Sequence, residues 1–287
     1  GLIIMEMTDV EPDGRISDYD LGLWSDEQVP AFARIIEACR RWGAKVGIQI
    51  AHAGRKAQDA EVPVSCSPIA HSDKYKTPRE LSTSEVEAMV GKFEAAFRRA
   101  VQAGVDVVEI HGAHGYLIHQ FQSPNINKRT DKYGLDRSRF GVEIVQAARR
   151  VMPADMPLIM RISAIEFAEG GYGLEEGIEL GRRYRDAGVD IFHVSSGGDG
   201  PKGPRYAGPG YMVDYAQAFK EALGVPVIAV GRLEDPRLAD RVIREGKADL
   251  AAVGRGMLRN PYWANEAAIA LGKGPLTPKA YERAYGL

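Results

Sequence analysis

The sequence predicts one α/β domain spanning residues 1–287, a (β/α)8 TIM barrel whose first strand is absent from this chain. Seven apolar strand segments alternate with helical segments along the sequence. Such units form a parallel sheet with right-handed crossovers, and seven or eight of them favour a closed barrel over an open doubly wound sheet. The sequence contains no Gly-, Ser- or Pro-rich linker that would divide it, so we expect a single domain.

The first predicted strand in the chain, residues 2–5, begins directly after Gly1. We therefore expect the eighth barrel strand to precede Gly1, and the chain to be a fragment or a piece of a rearranged gene. The later strands are nearly continuous apolar runs, which is typical of parallel strands buried on both faces. These strands are residues 45–50, 105–110, 158–162, 191–194, 225–230 and 250–253.

Cap signals and apolar periodicity predict the helices between these strands. Ser25, followed by acidic residues, has the pattern of an N-cap and predicts a helix that ends at Trp42. A second cap at Ser82 begins a long amphipathic helix that stops before Gly104. The remaining predicted helices are residues 137–152, 174–187, 211–223, 236–245 and 261–271.

The composition favours small-molecule chemistry. The sequence has 37 basic and 39 acidic residues, a net charge of −2, and no cluster of lysine and arginine. This argues against nucleic acid or an anionic membrane as a partner. No apolar run reaches the roughly 18 residues that a membrane-spanning helix needs. The two cysteines suggest a reducing compartment rather than a disulfide framework, so we expect a cytoplasmic protein.

A histidine-rich turn follows the strand at residues 105–110. It places His111, His114 and Tyr116 within six residues, and its glycines allow a sharp turn close to a bound ring. Two imidazoles can donate hydrogen bonds to one oxygen, and the tyrosine can offer a proton nearby. These three residues are the candidate catalytic and substrate-binding groups, suited to polarising a carbonyl and protonating the carbon beside it.

Polar residues collect where the predicted strands end, which is where the active sites of barrel enzymes lie. Two of these ends carry the same dipeptide, Gly231-Arg232 and Gly254-Arg255. Glycine amides and an arginine after the last two barrel strands often bind a phosphate. Each dipeptide alone is equally consistent with a plain turn. Together they predict that Gly231, Gly254 and Arg255 bind a phosphorylated ligand.

Arg161 ends an apolar strand, where a cation is costly unless an anion meets it. One interpretation is a structural ion pair with Glu109 or Glu6. The other is a cation facing an electron-rich ring that gains negative charge on reduction, with the Gln49 amide at the edge of the same ring. Combined with a phosphate site, the second interpretation indicates flavin mononucleotide (FMN) as the cofactor.

The spacing of His111 and His114 also fits a metal site. Three other histidines would supply its remaining ligands: His52, His119 and His193. Against this interpretation, the sequence has no His-x-His at a strand end, and Gly254-Arg255 stands where a carboxylate ligand is usual. We therefore predict no metal site, and we expect His119 to be packed or solvent-facing.

The residues from His111 to Pro124, followed by Asn127 to Gly134, closely resemble the signature of the old yellow enzyme family of flavin-dependent ene-reductases. The resemblance covers essentially the whole chain. Its other matching segments are residues 13–15, 47–56, 160–163 and 253–255. The paired histidines and the tail residues 281–283 are similar to those of the thermophilic-like subclass.

This resemblance implies roles for the candidate cofactor residues. Gln49 and Arg161 would contact the flavin ring, and the backbone of Met7 would lie beside it. Gly254 and Arg255 would hold the phosphate. In the family, a segment that precedes the residues matched here carries the first barrel strand and further flavin contacts, and we expect this segment to be missing.

The resemblance also implies roles for the substrate residues. His111 and His114 would bind the substrate carbonyl, and Tyr116 would donate the proton. Arg283, in a tail at residues 275–287, would reach the active site of a neighbouring subunit. The protein is therefore expected to be a homodimer or a homotetramer.

The activity implied by the resemblance is FMN-dependent ene-reduction. NADPH or NADH would reduce the flavin, which would pass hydride to the β-carbon of an alkene activated by a carbonyl or nitro group. One alternative is a non-catalytic or incomplete flavin-binding fragment, since an open sheet would expose its edges. Another is a metal-dependent barrel hydrolase.

Overall fold

The computed structural model of the protein describes residues 1–198 and 208–285. Its strands are β1 (Leu2–Asp9), β2 (Leu21–Gly22), β3 (Lys45–Ala51), β4 (Val64–Ser65), β5 (Arg79–Glu80), β6 (Val107–Gly112), β7 (Leu158–Ser163), β8 (Ile191–Ser195), β9 (Val227–Ala229) and β10 (Leu250–Ala251). Its α-helices are α1 (Val29–Arg40), α2 (Thr83–Ala103), α3 (Leu117–Gln122), α4 (Lys132–Leu135), α5 (Arg139–Val151), α6 (Leu174–Ala187), α7 (Val213–Leu223), α8 (Pro236–Arg244), α9 (Arg255–Arg259) and α10 (Trp263–Ala270).

Eight parallel strands form one curled sheet in the order β10-β9-β8-β7-β6-β3-β1-β2, which confirms the (β/α)8 class. Within the described ranges no ladder joins β10 to β1 or β2, so the sheet curls without closing. The predicted count of seven strands misses β2, which pairs Leu21 and Gly22 with the end of β1. Two residues are too few to show an apolar run.

The cap signals identify the helix ends well. The Ser82 side chain accepts a hydrogen bond from the Glu85 N–H, and Gly104 ends α2 in the left-handed region with φ +89°. Ser25 also forms its capping box, but the first turn is a 3-10 helix and α1 ends at Arg40 rather than Trp42. The helices missed by sequence analysis, α3, α4 and α9, are too short to show a repeat.

Several predicted strands differ from the observed ones at their ends. β1 extends to Asp9 because, after an irregularity between Met5 and Met7, its last residues pair with the end of β3. β9 is shorter than predicted, and it begins after Pro226, which has no N–H to donate to a neighbouring strand. β10 ends at Ala251, two residues earlier than predicted.

The side chains alternate along the strands between a helix-facing surface and the barrel interior. Most of the buried apolar residues pack between the sheet and its helices, with Phe93, Phe97 and Phe140 among the largest. A smaller apolar layer, which includes Val107 and Ile159, lies inside the barrel near the amino ends of the strands. None of the helices in the described ranges is both long and apolar enough to span a membrane.

Candidate active site

Strand alternation places two polar layers in the barrel above the apolar one. Residues two positions apart on a strand lie on the same face. Val107 and Ile159 point into the barrel. The side chains two and four positions after each of them therefore also point inward. The lower polar layer contains Gln49, Glu109, Arg161 and His193. The upper polar layer contains His111, Ser163 and Ser195.

The predicted catalytic residues are brought together at the end of β6. The ring centroids of His111 and His114 lie 5.2 Å apart with an interplanar angle of 88°. The Tyr116 ring lies 4.9 Å from that of His111, also edge to face at 80°. The two imidazoles and the phenol therefore form one compact group.

The backbone of His114 adopts an unusual conformation. Its φ of +60° lies in the left-handed region, which is sparsely populated by residues other than glycine. The Ser163 Oγ accepts a hydrogen bond from the His114 N–H at 3.1 Å. The Lys56 Nζ donates to the carbonyl oxygens of His114 at 2.7 Å and Gly198 at 2.5 Å. Any Cβ at Gly198 would collide with the His114 backbone, so the turn is held from three sides.

Both histidines are neutral at pH 7. Burial, and then the charge of Arg161, lower the pKa of His111 and His114 well below 6.5. The Ala113 N–H donates to His111 Nδ1 at 3.3 Å, so the ring carries its proton on Nε2. His114 Nε2 lies 2.7 Å from Ser195 Oγ, which in turn donates to the Met212 sulfur. The hydroxyl therefore accepts a hydrogen bond from the His114 Nε2–H.

Tyr116 keeps its proton over the whole physiological range. Burial, and then the carboxylate of Asp20, raise the pKa of its hydroxyl to about 12. The Lys56 ammonium lies 5.4 Å from the ring centroid, in a cation–π arrangement. The phenol is thus a protonated donor beside the histidine pair.

A cavity of about 360 Å³ opens next to these residues, at the carboxyl ends of β7 to β10. Four predicted cofactor residues line it, together with His114: Arg161, Gly231, Gly254 and Arg255. Met7 and Gln49 lie outside its walls. Met7 packs, like Tyr116, against the buried cluster of Ala53, Ala57 and Ala60, and Gln49 lies in the lower polar layer.

The two Gly-Arg dipeptides converge at one end of the cavity. Burial raises the pKa of Tyr211, while the charges of Arg255 and Arg232 act in the opposite direction. Both guanidinium groups therefore lie within electrostatic reach of this phenol. Gly231 has a φ of +117°, which a side chain would strain. At Gly254 a Cβ would meet no atom of the described chain within 4 Å, so protein packing does not require glycine there.

Two buried polar atoms of the cavity wall have no hydrogen-bond partner within the described residues: Arg161 Nε and Ser196 Oγ. Buried polar groups are nearly always hydrogen-bonded. Burial also lowers the pKa of Arg161, with the Glu109 charge opposing this effect. The cavity therefore offers unpaired polar groups and positive charge to a polar, anionic ligand.

The proposed ion pair of Arg161 with Glu109 or Glu6 is not the arrangement observed. The Gln49 Nε2 donates to Glu109 Oε1 at 2.5 Å, and the second carboxylate oxygen lies 2.8 Å from His193 Nδ1. Arg161 interacts with Glu109 through charge alone. The structure thus leaves the guanidinium available to a ligand.

Sequence analysis missed Asp9, a carboxyl group that is completely buried at the end of β1. Neither of its oxygens has a partner within the described part of the chain, and burial, followed by the charge of Asp20, raises its pKa to about 9. The side chain is therefore a neutral acid within electrostatic reach of Tyr116. An acidic residue that closes an apolar strand is the signal that would have revealed it.

Two other histidines, His119 and His52, make structural contacts. His119 is packed, as expected, and its Nε2 lies 2.9 Å from the buried carboxylate of Glu166. His52 Nε2 lies 2.8 Å from Glu11 Oε1. Among the described residues, no group of three or more His, Cys, Asp or Glu side chains is placed to hold a metal ion. Arg283 lies in an exposed 3-10 turn at Lys279–Tyr285, outside the cavity walls.

The fold and the cavity together define a barrel enzyme with an anion-binding pocket beside a neutral histidine pair. Residues 1–273 match the model of the NADH:flavin oxidoreductase / NADH oxidase family. The chain belongs to this family, and the resemblance to old yellow enzymes is thereby confirmed. It is an NAD(P)H:flavin oxidoreductase with FMN as its cofactor.

Relatives and solved structures agree with this membership. The chain is 42% identical to NADPH dehydrogenases of Listeria welshimeri and of Geobacillus sp. (strain WCH70), and each alignment covers 99% of this chain and 84% of the relative. Morphinone reductase matches with a TM-score of 0.78 and 26% identity, over 97% of this chain and 79% of that one. A 2-naphthoyl-CoA reductase complex matches with a TM-score of 0.86 and 27% identity, over 95% and 44% respectively.

The residues present fit the cofactor. A phosphate requires positive charge and backbone N–H groups, and the cavity end with Gly254, Arg232 and Arg255 supplies both. A flavin ring requires hydrogen-bond donors at its polar edge. The Arg161 guanidinium, which lines the cavity, carries such donors.

Proposed function

We propose that the enzyme reduces alkenes activated by a carbonyl or nitro group, with NADPH or NADH as reductant. The observation that carries the proposal is the neutral pair His111 and His114, packed against the protonated Tyr116 beside the cofactor cavity. This group can polarise an oxygen through its two imidazoles and protonate a carbon through the phenol. The names of the relatives support NADPH as the preferred reductant.

We assign the cofactor contacts as follows. Gln49 and Arg161 face the polar edge of the flavin ring, with the Met7 backbone beside it. Gly231, Gly254 and Arg255 bind the phosphate. Four of these six residues, Arg161, Gly231, Gly254 and Arg255, line one cavity. Gln49 lies in the same polar layer as Arg161.

Bound FMN, held by the residues assigned above, would supply the hydride-transfer chemistry between the reduced nicotinamide and the β-carbon of the alkene. His111 donates from Nε2 to the substrate oxygen, and His114 exchanges its hydrogen bond with Ser195 for one with the same oxygen. Negative charge grows on this oxygen as hydride arrives, so two fixed donors stabilise the transition state more than the ground state. Tyr116 then gives its proton to the α-carbon, and the resulting tyrosinate takes up a proton from water before the next turnover.

The holoenzyme should oxidise NADPH with cyclohexenone under anaerobic conditions. We expect NADPH to bleach the flavin absorption band, cyclohexenone to restore it, and cyclohexanone to accumulate in equal amount to the NADPH consumed. Saturated cyclohexanone, offered as the matched control, should leave the flavin bleached. If oxygen restores the band but neither the enone nor a nitroalkene does, the enzyme is an oxidase and the proposal is wrong.

We propose further that Arg283 completes the site of a second copy of the chain. Its exposed position outside the cavity of its own chain supports this assignment. Arg283→Ala should raise KM for cyclohexenone about tenfold, a typical loss for one charged hydrogen bond, while FMN stays bound. Lys279→Ala, in the same turn, is the control. An enzyme that is monomeric by light scattering and fully active would contradict the shared site.

We also propose a cytoplasmic location. Cys39 and Cys66 are both free thiols, and Cys66 is buried. Free cysteines are typical of reducing compartments. Fractionation of the source cells, with NADPH-dependent flavin bleaching as the assay, would detect the activity in the soluble cytoplasmic fraction, and activity in a secreted fraction would contradict this location.

A further inference from the structure

Below the proposed position of the flavin ring lies a buried carboxylate that the reaction described above does not use. Glu109 is 1% exposed, on the inner face of β6. An ionised carboxylate in a protein interior is costly unless it is paired, and an apolar side chain would fill the same layer at lower cost. The position of Glu109 therefore calls for an explanation other than stability.

Glu109 is ionised despite its burial. Burial opposes ionisation, but the imidazole of His193, the guanidinium of Arg161 and the amide of Gln49 together lower its pKa to about 2. The charged and titratable groups that face it across the barrel are His111, Arg161 and His193. In the lower polar layer, Glu109 therefore carries a negative charge and Arg161 carries a positive charge.

Only one ring nitrogen of His193 has a hydrogen-bond partner within the described residues. Its Nδ1 lies 2.8 Å from the ionised Glu109, so Nδ1 carries the proton and donates it to the carboxylate. Burial lowers the pKa of His193, and Glu109 only partly offsets this, so the ring is neutral. Nε2 is consequently an acceptor, and it has no partner within the described residues.

The unused donor nearby is Arg161 Nε. Arg161 and His193 are direct partners in the ladder between β7 and β8 and point to the same side of the sheet. One bridging water, accepting from Arg161 Nε and donating to His193 Nε2, would satisfy both atoms. The four side chains would then form one chain of hydrogen bonds, from Gln49 through Glu109 and His193 to Arg161.

We propose that Glu109 and His193 form a buried carboxylate–imidazole relay that positions Gln49 and Arg161 beneath the flavin ring and reduces the positive charge which the ring experiences. The inference rests on the proposed placement of the ring against these two residues. Glu109 and His193 are positioning residues, because they act through Gln49 and Arg161. The relay makes the flavin easier to reoxidise, since uncompensated positive charge would stabilise the reduced, anionic ring.

The test is the reduction potential of bound FMN in Glu109→Gln. Removing one negative charge at a distance of several ångströms should shift the equilibrium toward reduced flavin at least tenfold, which corresponds to about 30 mV for a two-electron couple. The matched control is Glu166→Gln, which removes the same charge from another buried Glu–His pair with no contact to Gln49 or Arg161. It should shift the equilibrium less than about threefold.

The relay is wrong if Glu109→Gln binds FMN with an unchanged potential, or if both variants shift it equally. If Glu109→Gln fails to fold, ¹⁵N NMR of His193 in the wild-type protein provides the test. The relay predicts a neutral ring protonated on Nδ1 from about pH 6 to pH 8; an Nε2–H tautomer or titration in this range overturns it. A wild-type holoenzyme that reduces no enone would refute the proposed activity alone, because neither measurement depends on turnover of an alkene.

Discussion

His114→Ala is expected to lower the rate of enone reduction on the order of 10²-fold, the typical loss of one donor to a developing oxyanion. The imidazole is neutral and lies 5.2 Å, centroid to centroid, from its partner His111. Its contribution grows as charge moves to the substrate oxygen. The measurement is single-turnover reoxidation of reduced flavin by cyclohexenone, with bound FMN quantified in each preparation.

Two further variants distinguish the loss of the hydrogen-bond donor from a structural effect of the substitution at this position. Ser195→Ala removes the present partner of His114 Nε2 but keeps the imidazole, so reoxidation should stay within a few-fold of wild type. His114→Asn keeps a donor, and asparagine tolerates the φ of +60° found here, so part of the rate should return. If His114→Ala holds FMN and reoxidises at the wild-type rate, the substrate oxygen does not bind to this residue.

The sequence is most informative where one local pattern decides the structure. The cap at Ser82 and the glycine at 104 define both ends of α2 because the hydrogen bonds involved are local. The long strands are equally clear, since burial on both faces makes most of their residues apolar. β2 cannot be predicted from a local pattern because its pairing with Thr8 and Asp9 depends on tertiary contacts.

The candidate site follows the same division. The histidine pair, Arg161 and both Gly-Arg dipeptides stand at strand ends, and the parallel fold brings strand ends together whatever the details of packing. The contacts between distant residues could not be predicted. Lys56 reaches the carbonyl of His114, 58 residues away, and Glu109 meets His193 rather than Arg161. Both contacts depend on the register and the rotamers of several strands.

Arg255→Ala should weaken FMN binding about 10- to 100-fold, as expected for the loss of a charged hydrogen bond to a phosphate. Arg255 lies in the cavity wall beside Gly254, and its charge reaches Tyr211 together with that of Arg232. The measurement is titration of the apoprotein with FMN, followed by quenching of flavin fluorescence. At saturating FMN, enone reduction should return to nearly the wild-type rate, because Arg255 is assigned to the FMN phosphate and not to the substrate.

Arg244→Ala is the matched control for this change. It removes the same charge at the carboxyl end of α8, which points to the amino ends of the strands and away from the cavity. Within the described residues it breaks an exposed ion pair with Asp240. Such pairs contribute about 0–1 kcal/mol, so FMN affinity should be unchanged. If Arg255→Ala also binds FMN as tightly as wild type, the phosphate lies elsewhere, and the assignment of Gly231 and Gly254 is lost with it.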